Sequence, residues 1–139
     1  MPESRDRLAL TIEDRRAVDD VLSAYALRLD LDDVDGAAAL FAEDAEFVTY
    51  GRVFAGRARI RRMFASAPKG VHLAGRATVT PRPDGVDVTM QLVFFPADRA
   101  PHRLACYDVR MLRGEDESWT ITRMETRFMN DEGAWATEP

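Results

Sequence analysis

The chain has 139 residues, 46% of them hydrophobic, and a formal charge of -5, which is the size and apolar content of one compact domain with a core of its own. Its 18 arginines are interleaved with acids, which argues against nucleic acid as a partner, and no apolar run approaches the roughly 20 residues that cross a membrane. A single cysteine, Cys106, excludes an internal disulfide framework, and the opening segment lacks the basic-then-apolar layout of a signal peptide, so a cytoplasmic location is expected.

Residues 1–10 are charged and aperiodic and read as a tail, ahead of a single domain over residues 11–128 and a second tail over 129–139 in which Trp135 alone has reason to pack back. Thr11-Ile12-Glu13-Asp14 has the form of a helix N-cap followed by acids in the first turn. A first helix is expected from Ile12 to Leu29, because Val18, Val21, Leu22, Tyr25 and Leu29 recur at helical spacing. It closes in the acidic turn Asp30 to Asp33. A second helix is expected over Val34 to Phe41, ended by Glu43-Asp44. Ala45 to Tyr50 and Val53-Phe54 form a small hairpin around Gly51-Arg52. Gly56 to Ala67 returns to helical spacing, and Pro68 and Gly70 end it. Four strands then follow, at Val71 to Thr80, Val86 to Phe95, His102 to Arg113 and Trp119 to Phe128, separated by proline- and glycine-rich breaks.

Helices first and a strand meander afterwards imply an α+β domain, three N-terminal helices packed on one face of a curved, mainly antiparallel sheet that encloses a cavity. Alternation gives the strands two unlike faces: Val86, Val88, Met90, Leu92 and Phe94 on one side, Asp87, Thr89 and Gln91 on the other. In the next strand Ala105, Tyr107, Val109 and Met111 oppose Cys106, Asp108 and Arg110. Which face lines the cavity is left open by the pattern.

Two residues far apart in the chain draw attention together. Asp30 lies on the line Leu22, Ala26, Asp30, each step four residues, so it either continues the edge of the apolar stripe or simply ends the helix among solvated acids. A carboxylate on the stripe needs a partner. His72, one of two histidines, opens the strand after the third helix. No glycine-rich phosphate loop or dinucleotide fingerprint is present, and none of the four serines sits in a nucleophile elbow. His102, Cys106 and Asp108 share strand parity, but the first two stand about 13 Å apart along a strand, too far to share one metal ion. No cofactor and no metal are therefore expected, and acid/base chemistry on a small molecule is favoured.

The first helix with Tyr25 and Asp30, the run Leu40-Phe41-Ala42-Glu43-Asp44-Ala45, the Gly56 to Phe64 helix opening, His72 leading a strand, Tyr107-Asp108 in mid-strand and Trp119-Thr120-Ile121 together resemble the SnoaL-like branch of the nuclear-transport-factor-2-like superfamily, over roughly Thr11 to Phe128. The resemblance implies a cone-shaped α+β barrel, frequently a homodimer, with a ligand cavity open at one end. Members include polyketide cyclases, scytalone dehydratase, bile-acid 7α-dehydratase, a hexachlorocyclohexane dehydrochlorinase and ketosteroid isomerase. Asp30 and His72 fall where several of these enzymes carry an Asp/His dyad, and Tyr25 stands five residues before Asp30, as a tyrosine does in the bile-acid enzyme. A late-strand arginine of the family corresponds to Arg123 or Arg127.

What this implies is a cofactor-independent lyase or isomerase that dehydrates, isomerises or cyclises an apolar carbonyl compound such as a polyketide, terpenoid or steroid-like molecule. Asp30 would orient the His72 imidazole and stabilise its cation, the free ring nitrogen would move the proton, and Tyr25 would donate to the carbonyl. Tyr50, Phe54, Met63, Tyr107, Arg123 and Arg127 are the candidates for substrate binding. The alternatives are a non-catalytic module that binds a hydrophobic ligand, the small subunit of an oxygenase, and, ranked last, an epoxide hydrolase.

Overall fold

A computed structural model describes residues 9–136; of the tails expected over residues 1–10 and 129–139, the parts at 1–8 and 137–139 lie outside the described residues. Helix α1 (Ile12–Asp30) begins at Thr11, whose hydroxyl accepts from the Asp14 N–H at 3.0 Å while the Asp14 carboxylate accepts from the Thr11 N–H at 3.1 Å. This reciprocal cap satisfies amides that a helix start otherwise leaves unpaired. Asp14 also pairs with Arg113. Burial pushes its carboxyl up, but the Thr11 backbone and Arg113 outweigh this and hold it below its ordinary range. Val18, Leu22 and Tyr25 are the buried face of α1.

Asp32, with φ +61°, turns the chain out of α1, and Asp33 caps α2 (Val34–Ala38) by accepting from the Gly36 N–H at 2.9 Å. The helix expected to reach Phe41 stops at Ala38, because the sheet claims the next backbone groups: the Ile121 N–H donates to the Leu40 carbonyl at 3.0 Å. Phe41 instead opens strand β1 (Phe41–Thr49), in which Glu43 and Asp44 are exposed strand positions and interrupt nothing. Tyr50 and Gly51 both have positive φ, +52° and +71°, the geometry of a two-residue hairpin turn into β2 (Arg52–Ala55). Helix α3 (Arg57–Ser66) buries Ile60 and Phe64.

The remaining strands are β3 (Gly70–Ala74), β4 (Thr78–Arg82), β5 (Gly85–Pro96), β6 (Arg103–Arg113), β7 (Trp119–Met129) and β8 (Trp135–Ala136). The single strand expected over Val71 to Thr80 is two. Ala74 stands opposite Leu92 and Thr78 opposite Thr89, so three residues face two and the register slips by one. This is the geometry of a bulge, and it re-aims the chain so that Ala77 and Val79 pack on the core. The stretch expected as a tail supplies β8, which pairs Trp135 with Met129.

The sheet runs β2-β1-β7-β6-β5-β3 and does not close on itself; β4 shares β5 with β3. It is mixed: β1 lies parallel to β7, and the other pairs are antiparallel. The helices cover one face, and the residues turned toward them include Val86 to Phe94 in alternation on β5 and Ala105, Tyr107, Val109 and Met111 on β6. No helix among the described residues is long and apolar enough to cross a membrane.

Phe41 is fully buried, its ring 5.7–6.1 Å from the rings of Tyr25, Phe47 and Phe64. This cluster joins α1, β1 and α3 under the cavity. Phe41→Ala should therefore cost about 3–5 kcal/mol in chemical denaturation, the range for an aromatic removed from a filled core; a loss below about 1 kcal/mol would show that the cluster is not packed.

Candidate active site

A cavity of about 130 Å³ opens between α1, α3 and the concave face of the sheet. Its wall is mainly aromatic and aliphatic: Leu29 from α1, Phe47 from β1, Met63 and Phe64 from α3, Leu92 and Phe94 from β5, and Phe128 from β7. The volume is that of a site for a ligand of about one ring, below the roughly 300–1,000 Å³ of pockets that take drug-sized molecules. Its polar groups are few, so their positions decide what the cavity can do.

Asp30 is the last residue of α1 and His72 the third of β3. The His72 Nδ1 lies 2.6 Å from Asp30 Oδ1, and the His72 backbone N–H points at the same carboxylate, 3.0 Å from Oδ2 and 3.2 Å from Oδ1. Both side chains are largely buried, 17% and 15% exposed. An ionised carboxylate accepts only, so Nδ1 carries the proton and donates it to Asp30, leaving Nε2 as the basic nitrogen. Nε2 has no protein partner among the described residues. The ring packs against Phe94 with centroids 4.6 Å apart, and His72 lines the cavity.

Tyr25 and Tyr107 sit in the same wall, their hydroxyls 3.4 Å apart and their side chains buried. Burial is the main reason both phenols are hard to ionise, and the nearby Asp30 charge adds to it. Tyr25 is pushed well above the ordinary tyrosine value, and Tyr107 is pushed up to about 12. Both remain neutral donors at any working pH. One proton can serve the pair, which leaves the other for a ligand oxygen.

Tyr50 also lines the cavity, held in the left-handed region by the hairpin turn, with its ring stacked on Phe128 at 4.6 Å. Its phenol is raised by burial, against the opposing pull of Arg103, which donates to its hydroxyl. Arg103 is a cavity residue that the sequence reading missed. Parity was the available signal: Arg103 continues the alternation of Ala105, Tyr107, Val109 and Met111, and the structure sets it opposite Phe94 on the cavity face.

Four of the sequence candidates are not part of the cavity lining: Asp30, which meets the cavity only through its contact with His72, and Phe54, Arg123 and Arg127. Phe54 packs on the core from the outer hairpin strand, β2. Arg123 and Arg127 point to the other face of the sheet, where Arg127 donates to Asp108 at 2.6 Å and Arg123 lies 3.9 Å from Glu125. The cause is a bulge in β7. Met111 is opposite Ile121 but Arg110 is opposite Arg123, so Thr122 is an extra residue and the inward series changes from Trp119 and Ile121 to Met124 and Thr126. Cys106 is buried on the same outer face, 3.5 Å from Arg127. Among the described residues no three His, Cys, Asp or Glu side chains group closely enough to hold a metal ion.

Residues 10–138 match the model of the SnoaL-like domain family. No curated protein matches the sequence. Among solved structures, the chain is similar to a nuclear-transport-factor-2-like protein with a cystatin-like fold from Novosphingobium aromaticivorans (TM-score 0.77, 22% identity, 86% of this chain and 84% of that one). It is also similar to a hexachlorocyclohexane dehydrochlorinase from Novosphingobium barchaimii LL02 (0.73, 15%, 86% and 88%) and to nuclear transport factor 2 from Cryptosporidium parvum (0.75, 14%, 87% and 98%). At these identities the likeness establishes the fold, which is the cone of that superfamily.

The raised phenols carry a linkage. Unfolded tyrosine ionises near pH 10 while Tyr107 holds its proton to about 12, so the unfolded state binds fewer protons above pH 10 and stability falls from there through pH 12. Tyr107→Phe should flatten this alkaline decline in denaturation curves taken between pH 9 and 12; an unchanged slope would mean that the hydroxyl is solvated.

Proposed function

The chain belongs to the SnoaL-like domain family, and from that premise we propose that it is a cofactor-independent enzyme that moves a proton next to a carbonyl group in an apolar small molecule, leading to loss of water, a double-bond shift or ring closure. The observation that carries this reading is the 2.6 Å contact with Asp30 made by Nδ1 of His72, a residue that lines an apolar cavity. An imidazole so held presents Nε2 as a general base of fixed tautomer, and the carboxylate stabilises the cation that forms.

In the proposed reaction His72 Nε2 takes a proton from the carbon beside the carbonyl, and the electron pair moves onto the carbonyl oxygen. The Tyr25–Tyr107 pair donates to that oxygen as it gains enolate character, a contact that strengthens as charge develops. Ketosteroid isomerase, a worked case of this chemistry, likewise uses a neutral donor against a carbonyl. The enolate then collapses in one of three ways. It expels a β-hydroxyl, which takes the proton from His72 and leaves as water; it is reprotonated by His72 at a different carbon; or its carbon adds to a second carbonyl of the same molecule, whose oxygen takes the electron pair and then the proton from His72. Each route returns His72 to its neutral form.

The aromatic lining favours one further reading, a non-catalytic carrier of an apolar ligand. Hydrogen–deuterium exchange at the carbon beside the carbonyl, followed by NMR over a panel of aryl ketones, separates the two. His72→Ala should lower the exchange rate by about 10²–10⁴-fold and Asp30→Asn by a comparable factor, with Tyr25→Phe intermediate. Folded variants that exchange at the parent rate would leave only the carrier.

We also propose a homodimer, as the family resemblance implies, with the second copy on the outer face of the sheet. Val71 and Leu73 on β3, Phe95 on β5 and Leu104 on β6 are 48%, 59%, 43% and 41% exposed, and the register makes them neighbours across adjacent strands. A patch of four large apolar residues on three strands is one that a partner would cover. Leu73→Glu with Phe95→Glu should shift the protein from dimer to monomer in sedimentation velocity; a parent chain already monomeric would overturn the assignment.

A further inference from the structure

Three cavity residues form one row across the sheet. His72 on β3 is the register partner of Phe94 on β5, and Phe94 is the partner of Arg103 on β6. Partners in register point to the same face, so the imidazole and the guanidinium flank the Phe94 ring on the cavity side, their Cα atoms about 10 Å apart by two strand spacings. The contacts agree: the His72 ring centroid is 4.6 Å from that of Phe94, and the Arg103 guanidinium carbon lies 5.9 Å from the same centroid.

Arg103 has no carboxylate partner among the described residues, unlike the other cation of the cavity wall, Lys69, which pairs with Asp32. Its contacts are the Tyr50 hydroxyl, the Tyr50 ring at 5.6 Å and the Phe94 ring. A neutral phenol and two aromatic faces hold a guanidinium in place without neutralising it. A partly buried cation of this kind is complementary to an anion brought in by a ligand.

We propose that Arg103 is the anchor for a carboxylate on the substrate, so that the cavity takes an apolar carbonyl compound bearing an acid group roughly one aromatic ring away from the carbon that His72 deprotonates. The proposal rests on the proposed reaction only for the identity of that carbon. The body of the ligand lies over Phe94, its acid end accepts paired hydrogen bonds from Arg103, and its carbonyl end reaches the tyrosine pair. Arginine suits the task better than lysine because its planar fork meets both carboxylate oxygens.

The test uses 4-acetylbenzoate, which carries an acid and an enolisable ketone across one ring, against its methyl ester, with dissociation constants from ligand-observed NMR. The parent protein should bind the acid about ten- to a hundredfold more tightly than the ester. Arg103→Met, which keeps much of the apolar stem, should bring the two within about twofold by weakening the acid alone, and Arg103→Lys should restore part of the preference. A parent that does not bind the acid, or binds it no better than the ester, overturns the anchor, as does a preference that survives in Arg103→Met. His72→Ala should keep the acid preference. If the preference stands while no variant or parent exchanges protons at the acetyl group, the anchor is supported and the enzymatic reading is the one that fails.

Discussion

A carboxylate at the C-terminal end of a helix faces the negative end of the helix dipole, an arrangement that costs roughly 0.3–1 kcal/mol where the group is exposed. Asp30 occupies that place on α1 and is largely buried as well. What offsets both penalties is His72, whose ring and backbone N–H together satisfy the two carboxylate oxygens. The contact closes the helix against β3, forty-two positions away in the chain, and the cavity is the space left beneath it. At the other end of α1, Asp14 is clamped by Thr11 and Arg113. The helix is thus fastened to the sheet by an acid at each end, with Val18, Leu22 and Tyr25 packed between.

These fastenings differ in kind. Asp14 uses the favourable end of the helix dipole, and its carboxyl is held down by neighbours that want the anion. The Asp30 contact works against the dipole and includes a titratable ring. A fold that needed only a clasp would be better served by an arginine or a lysine at position 72, so an imidazole there, with Nδ1 held by Asp30 and the ring in the cavity lining, is what favours the proposed proton transfer over mere closure.

Much of this was legible in the sequence. The i, i+4 line from Leu22 through Ala26 left Asp30 either at the edge of the buried stripe or among solvated acids, and the structure settles this for the first; alternation in β5 and β6 separated the apolar face from the charged one before its direction was known. The element types held wherever period and breakers agreed, as at Thr11 and Pro68. What escaped was every place where a single extra residue changes parity. Thr122 in β7 turns Arg123 and Arg127 outward, and the slip between Ala74 and Thr78 splits one expected strand in two. Bulges are set by how a strand must bend to follow its neighbours, which is a property of the whole sheet and leaves little mark on local composition. Phe41 was misplaced for a related reason: an apolar residue after Ala-Ala-Leu continues a helix by propensity, and only the parallel pairing with β7 overrides it.

The tyrosine pair shows how the same burial that shapes the core also prepares the site. A 3.4 Å separation is long for a bond between two hydroxyls, so the contact is weak. Its weakness is useful, because a ligand oxygen arriving beside the pair gains a donor without breaking a strong bond. Burial meanwhile keeps both protons in place. The hydroxyls stay ready as neutral donors, and the surrounding aromatic rings of Phe41 and Phe64 fix the direction in which Tyr25 can offer its proton. In the proposed chemistry the stabilisation of the enolate therefore depends on the aromatic packing beneath it, and a loosened cluster would blunt the reaction before it unfolded the chain.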